Sequence, residues 1–281
     1  VGESGCGKST AALAVMGLIP SPAGRLAAGE ILFKGKNLTA LPEEEMRKIR
    51  GSEISMIFQE PMTSLNPVLT IGRQVSEVYM AHRGMEKKEA LEESKRMLAL
   101  VGLPDPGLML REYPHRLSGG MRQRVMIAMA LACNPEVMIA DEPTSALDVT
   151  VQAQILRLIV DLKERLGTAV ILITHNLGVI AETAQKVLVM YAGRAVEYSD
   201  VYGLFKDARH PYTIGLLGSV PGIKKEGEKL GGIEGEPPSP LDNIKGCRFH
   251  PRCRYAREIC RVTEPAMKDI GGGHFCACHL L

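Results

Sequence analysis

Two stretches of this chain carry residues whose types and spacing suit chemistry on a phosphate. Gly2-Glu3-Ser4-Gly5-Cys6-Gly7-Lys8-Ser9 fits the pattern G-x-x-x-x-G-K-[ST] at every fixed position, with Thr10 next. Glycines at that spacing free backbone N–H groups to wrap a triphosphate. Lys8 can reach its β- and γ-phosphates, and the Ser9 hydroxyl suits Mg²⁺. The second stretch runs from Leu117 to Asp148. Ser118-Gly119-Gly120 reads as a helix N-terminus with an N-cap serine and open amides, a further place for an anion. Val137-Met138-Ile139-Ala140 reads as a buried parallel strand that delivers Asp141 and Glu142 at its carboxyl end. A glycine-rich turn alone would say little. Joined to a carboxylate pair at a strand end, it predicts phosphoryl chemistry with a metal.

The elements that must position these groups are legible nearby. Helix formers follow from Thr10 to Leu18, and Pro20 ends the run. Gly29–Phe33 with Gly35 reads as a short strand and turn, and Ile54–Phe58 as a second strand with Gln59 at its end. From Ile71 to Arg116 the period turns helical, through Val75, Val78, Tyr79, Ala90, Met97, Leu98 and Val101. Glu86–Arg96 is a solvated, charged helix face. Val151, Ile155, Leu158, Ile159, Leu162 and Leu166 form one apolar stripe capped by Gly167. Val170–Ile173 is another buried strand. Thr174-His175 follows it, which puts His175 at the sheet edge of Asp141 and in reach of a γ-phosphate. Val187–Tyr191 and Arg194–Tyr198 read as a hairpin closing the sheet. Gly227–Gly235 and Pro237–Pro240 are linker-like.

Composition narrows the classes. The chain has 281 residues, 45% of them hydrophobic, enough for a sizeable core. Lys plus Arg number 34 against 32 for Asp plus Glu, so no basic footprint for nucleic acid exists. No apolar run approaches the roughly 18 residues of a membrane span, and no signal peptide pattern is present.

Taken together, these residues resemble the ATP-binding cassette (ABC) ATPases. Leu117–Met121 stands where that family has its signature motif, with Met121 in place of the commoner Gln. Asp141-Glu142 matches the Walker B pair, Ser145–Asp148 the D-loop, Gln59 the Q-loop and His175 the switch histidine. More narrowly, Phe58–Pro67, Met121 and a cysteine-rich tail resemble the ATPase subunits of oligopeptide and dipeptide importers. The resemblance implies an α/β P-loop NTPase (RecA-like) sheet domain with a helical subdomain insert and a small C-terminal cysteine-rich extension. It implies ATP and Mg²⁺ on Gly2–Thr10, Gln59 and Asp141, and Glu142 as general base. His175 would hold the γ-phosphate, and Gln59 would contact Mg²⁺ and water and sense the membrane partner. Ser118, Gly119 and Gly120 would contact ATP on a partner subunit. Expected partners are a homologous ATPase, as homo- or heterodimer, two membrane permease subunits and an extracytoplasmic solute-binding protein. The place would be peripheral, on the cytoplasmic face of the cell membrane. A phosphate loop normally follows a strand, so a preceding segment is expected. In the family it carries the aromatic residue that stacks on adenine.

Five of the seven cysteines lie in the tail: Cys247, Cys253, Cys260, Cys276 and Cys278. Their spacing does not match a CxxC zinc ribbon, and disulfides are disfavoured in the reducing compartment of such an ATPase. Four thiolates can hold a [4Fe–4S] cluster or Zn²⁺. The importer resemblance favours the cluster on Cys247, Cys253, Cys260 and Cys278, with Cys276 as substitute, where the family usually has an apolar residue. His250, His274 and His279 keep Zn²⁺ open. Because the tail follows the sheet domain, the cluster is expected to be structural, away from the ATP site, with ATP binding independent of it.

The expected domains are 1–70 for the first part of the ATPase core, 71–125 for the helical subdomain, 126–205 for the second part of the core, and 206–281 for the extension. The function that follows is ATP hydrolysis driving import of short peptides. The alternatives are an ABC-type ATPase not coupled to transport, an importer for nickel or another small solute, and a redox or metal sensor built on the tail.

Overall fold

The computed structural model describes residues 1–59, 64–145, 147–220, 232–239 and 241–281. Parts of four sequence readings, Glu60–Thr63 of the importer-like stretch, Ala146 of the D-loop, most of the linker at 227–235 and Pro240 of the linker at 237–240, lie outside the described residues. The chain forms two compact units, Ala12–Ile173 and Val1–Ala11 with Thr174–Leu281.

Helix α1 (Lys8–Val15) leaves the glycine loop. The first unit then holds a hairpin of β1 (Leu32–Phe33) and β2 (Lys36–Asn37), helix α2 (Glu43–Ile49) and strand β3 (Ile54–Ile57). The strand expected over 29–33 is thus only two residues long, and its turn is Lys34-Gly35, both left-handed. Next come α3 (Ile71–Arg83), α4 (Lys87–Leu100), α5 (Pro106–Met109) and α6 (Gly119–Leu131). Thr70 caps α3 by accepting from the Arg73 amide at 3.4 Å. Tyr79, Ala90, Leu98 and Val101 share one core with Val125, Ile127 and Leu131 of α6. The expected domain boundary at 125 falls inside α6. That helix is buried on nearly every face, so nothing polar marks a break there.

Strand β4 (Val137–Asp141), helix α7 (Val149–Leu166) and strand β5 (Ala169–Ile173) complete the unit. The sheet order is β3-β4-β5, all parallel, with Ile57 beside Ala140 and Asp141 beside Ile173. Strand β4 is central, which accounts for its apolar run. Asp148 caps α7 by accepting from the Val151 amide at 2.9 Å, and left-handed Gly167 ends it. Ile155, Ile159 and Leu162 turn inward.

In the second unit, α8 (Leu177–Thr183) precedes β6 (Lys186–Tyr191) and β7 (Arg194–Asp200). Then follow α9 (Val201–Asp207), α10 (Pro211–Gly218), α11 (Glu258–Val262), β8 (Lys268–Asp269) and β9 (Phe275–Cys276). The β6–β7 hairpin forms as expected, but it does not close the parallel sheet. It belongs to a four-stranded antiparallel sheet in the order β6-β7-β9-β8. The free edge of β7 takes β9 of the tail, with Glu197 opposite Cys276.

Candidate active site

Chemistry-bearing groups in the unit of Val1–Ala11 and Thr174–Leu281 start at the glycine loop. Gly2, Gly5 and Gly7 all have positive φ. Gly2 admits no side chain, because a Cβ there would lie 2.1 Å from the Met190 carbonyl oxygen. Lys8 is 7% exposed, and its Nζ donates to the carbonyls of Gly2 at 2.8 Å and Glu3 at 2.9 Å. Cys6 is buried, and its carbonyl accepts from the Gly193 amide at 2.9 Å. Ser9 and Thr10 stand in the first turn of α1, and Ser4 and Gly5 are exposed on the loop. The Thr174 hydroxyl accepts from the Asn176 amide at 3.0 Å. His175 between them is exposed.

The unit of Ala12–Ile173 holds the carboxylates. Asp141 is the last residue of β4 and 2% exposed. Glu142 leaves the same sheet edge with φ +45, a conformation unfavourable for Glu, and its amide donates to the Ile173 carbonyl at 2.9 Å. Gln59 stands two residues past the end of β3 and is exposed. Parallel register therefore brings Gln59, Asp141 and Glu142 to one sheet edge. Asp141 and Gln59 offer hard oxygen donors of the kind Mg²⁺ takes.

Ser118 caps α6, accepting from the Met121 amide at 3.3 Å. It is exposed together with Gly119. A Cβ on Gly120 would meet Val151 Cγ1 at 2.8 Å, so the glycine pair lets the start of α7 pack against the first turn of α6.

In the tail, Cys247, Cys253, Cys260 and Cys278 line one cavity with His210, Phe249, Tyr255, His250 and His279. Burial pushes the Cys247 thiol up to about 11, and the other three sulfurs add to the shift. Burial raises Cys253 and Cys278 too. Backbone amides already point at two sulfurs: Arg257 N–H to Cys260 Sγ and Leu280 N–H to Cys278 Sγ, both at 3.5 Å. Among the described residues no group of three or more Cys, His, Asp or Glu side chains is set as the ligands of one ion. Cys276 is fully buried beside Glu197 and does not line the cavity. The His274 ring bonds Glu197 at 2.7 Å, away from the thiols. His250 and His279 each have a ring nitrogen on a backbone carbonyl, at 3.0 and 2.9 Å.

One expectation is overturned. The cysteine tail is not remote from the glycine loop. Arg252, next to Cys253, grips the Glu3 carboxylate with both guanidinium arms, at 2.7 and 3.1 Å. Sequence reasoning also missed Tyr212, whose hydroxyl accepts from the Glu3 amide at 2.8 Å, and Glu197.

Comparison with known proteins agrees with this inventory. The family model described as "ABC transporter" matches residues 1–145, and "Oligopeptide/dipeptide transporter, C-terminal region" matches 196–260. A probable peptide ABC transporter ATP-binding protein of Sinorhizobium fredii is 54% identical, covering 99% of this chain and 83% of that protein. The oligopeptide transport ATP-binding protein AppD of Bacillus subtilis is 52% identical over 100% of this chain and 85% of its own length. OppD of Salmonella typhimurium, also an oligopeptide transport ATP-binding protein, is 52% identical, covering 99% and 82%. Among solved structures, the dimeric ATP-binding cassette MJ0796 bound to ADP and Pi matches with a TM-score of 0.61 at 30% identity. That match covers 71% of this chain and 83% of that one.

Proposed function

This chain belongs to the ABC transporter family, as the ATP-hydrolysing subunit that powers peptide import, and we propose the following division of labour among its residues. The observation that carries the functional reading is the pairing of a cassette match over 1–145 with a peptide-transporter match over 196–260 in one chain. Gly2–Thr10 wraps the triphosphate, with Lys8 turning from the Gly2 and Glu3 carbonyls to the β- and γ-phosphates. Ser9, Gln59 and Asp141 hold Mg²⁺, which neutralises charge building on the leaving phosphate. Glu142 accepts a proton from water as the water oxygen bonds to the γ-phosphorus. The bond to the β–γ bridging oxygen breaks, giving ADP and phosphate. His175 holds the γ-phosphate.

Ser118, Gly119 and Gly120 face the nucleotide of a second ATPase subunit. One chain alone lacks a complete site, and the dimer of the MJ0796 cassette supports this arrangement. No helix among the described residues is long and apolar enough to cross a membrane. Two permease subunits supply the path. A separate solute-binding protein delivers the peptide, and the ATPase sits peripherally at the cytoplasmic face. We further propose that Cys247, Cys253, Cys260 and Cys278 hold a [4Fe–4S] cluster. Four thiols on one cavity and amides aimed at two sulfurs support it.

The test of the chemistry is Glu142→Gln, which keeps size and hydrogen bonding but cannot take the proton. ATP binding should persist while turnover falls by roughly 10²–10⁴-fold. Wild-type turnover in that variant, free of contaminating ATPase, would remove Glu142 from the role of base.

A further inference from the structure

Glu3 occupies one of the unrestricted positions of the glycine loop. It puts a carboxylate on a loop built to receive a triphosphate, where an unpaired negative charge repels the ligand. The charge is neutralised from the far end of the chain. Arg252 is 7% exposed at its side chain and Glu3 24%, and they form a fork-to-fork ion pair. Arg252 is itself held, donating from Nε to the Glu234 carbonyl at 3.0 Å and from Nη2 to the Gly235 carbonyl at 2.8 Å.

The same seven-residue loop, Cys247–Cys253, makes two more links toward the glycine loop. Phe249 is 3% exposed and packs edge-on against Tyr191 and at a tilt against Tyr212, with ring centroids at 5.1 and 5.4 Å. Tyr212 is the residue whose hydroxyl receives the Glu3 amide. Arg248 donates to the Ala192 carbonyl, and the neighbouring Gly193 amide donates to the Cys6 carbonyl. Glu3 is thus pinned by its amide on Tyr212, its carboxylate on Arg252 and its carbonyl on Lys8 Nζ. The last of these is the cation that must meet the phosphates.

We infer that Arg252 is a positioning residue for the nucleotide site: through Glu3 it sets the glycine loop and Lys8, coupling ATP affinity to the order of the Cys247–Cys253 loop. The inference rests on the reading of Gly2–Thr10 as the triphosphate site. It needs no redox step and does not depend on which metal the thiols take. Whatever orders the cysteine loop favours nucleotide, and, by linkage, nucleotide orders the cysteine loop.

The purified full chain tests this with magnesium-AMPPNP. Calorimetry should show affinity weakened about tenfold in Glu3→Gln and in Arg252→Gln, within the usual range of coupling between sites. The double variant should be no weaker than the worse single one, because both changes break the same link. Arg254→Gln, an exposed change on the same segment, should bind as wild type. Wild-type affinity in both single variants, or losses that multiply in the double, would overturn the coupling. A measurement on wild type covers the case where Arg252→Gln folds poorly. Amide hydrogen exchange across 247–253 should slow on adding magnesium-AMPPNP, and Lys8→Ala should abolish that slowing. Exchange that nucleotide leaves unchanged, in wild type that binds it, sinks the inference and leaves the site assignment standing. Wild-type protein that binds no nucleotide sinks the site assignment itself.

Discussion

Replacing Glu197 by Ala should cost a large part of the stability of the unit that holds the glycine loop. Glu197 lies on β7, fully buried. One carboxylate oxygen accepts from the Arg209 amide at 2.6 Å and from the His274 ring at 2.7 Å. The other accepts from the His210 amide at 3.1 Å. Those partners lie on the segment between α9 and α10 and at the approach to β9, so one side chain fastens both to β7. Truncation strands two buried donors, the His210 amide and the His274 ring, each costing about 1–3 kcal/mol when left unpaired, and a part-buried one, the Arg209 amide. Some will find water in the space left, so the sum is roughly 3–6 kcal/mol, against about 5–15 kcal/mol for a whole domain. Urea unfolding followed by circular dichroism reads the loss. Glu197→Gln should cost about half as much, because the amide keeps one acceptor oxygen but turns an N–H toward donors. Limited proteolysis of Glu197→Ala should cut first within 268–281, where β8 and β9 lose their anchor. A loss below about 1 kcal/mol in the Ala variant would show that the three bonds are replaced without cost, and the reasoning would fail.

Lys8→Ala should weaken ATP binding, since it removes the only charged side chain the loop aims at phosphate; calorimetry with unchanged affinity would count against that placement. Gly2→Ala should lower the melting temperature and abolish nucleotide binding, because its Cβ has no room beside the Met190 carbonyl and its φ is +146. Anaerobically purified protein should be brown with about four irons per chain, and Cys253→Ser should lose them. Colourless protein with stoichiometric zinc would replace the cluster by a zinc site, and metal-free protein would leave the thiols without that role.

The parts legible in the sequence are those fixed by neighbours along the chain. Ser118 caps its helix and Gly167 ends α7, because a cap is satisfied within three residues. The central strand β4 reads as apolar because both neighbours are parallel strands. The order of β7 and β9 was not legible. Strand β9 is two residues long, carries no alternating pattern, and pairs with a strand some way back in the chain. The left-handed turn at Glu142 was equally silent, since a Glu gives no hint of positive φ the way a glycine does.

The expectation that the cysteine tail stands apart from the ATP site failed for a reason that physical chemistry explains. Order along the chain is not distance in the fold. Arg252 reaches Glu3 across 249 positions. A clue was present. A carboxylate inside a phosphate loop needs a cation, and Lys8 is committed to the nucleotide, so the partner had to come from elsewhere. The Cys247–Cys253 loop offers two arginines, and such a loop carries few apolar groups to fix it by packing alone. Arg248 and Arg252 anchor it instead, one on the Ala192 carbonyl and one on Glu3. The ion pair therefore serves both ends: the tail gains an anchor, and the glycine loop loses a negative charge that would oppose its ligand.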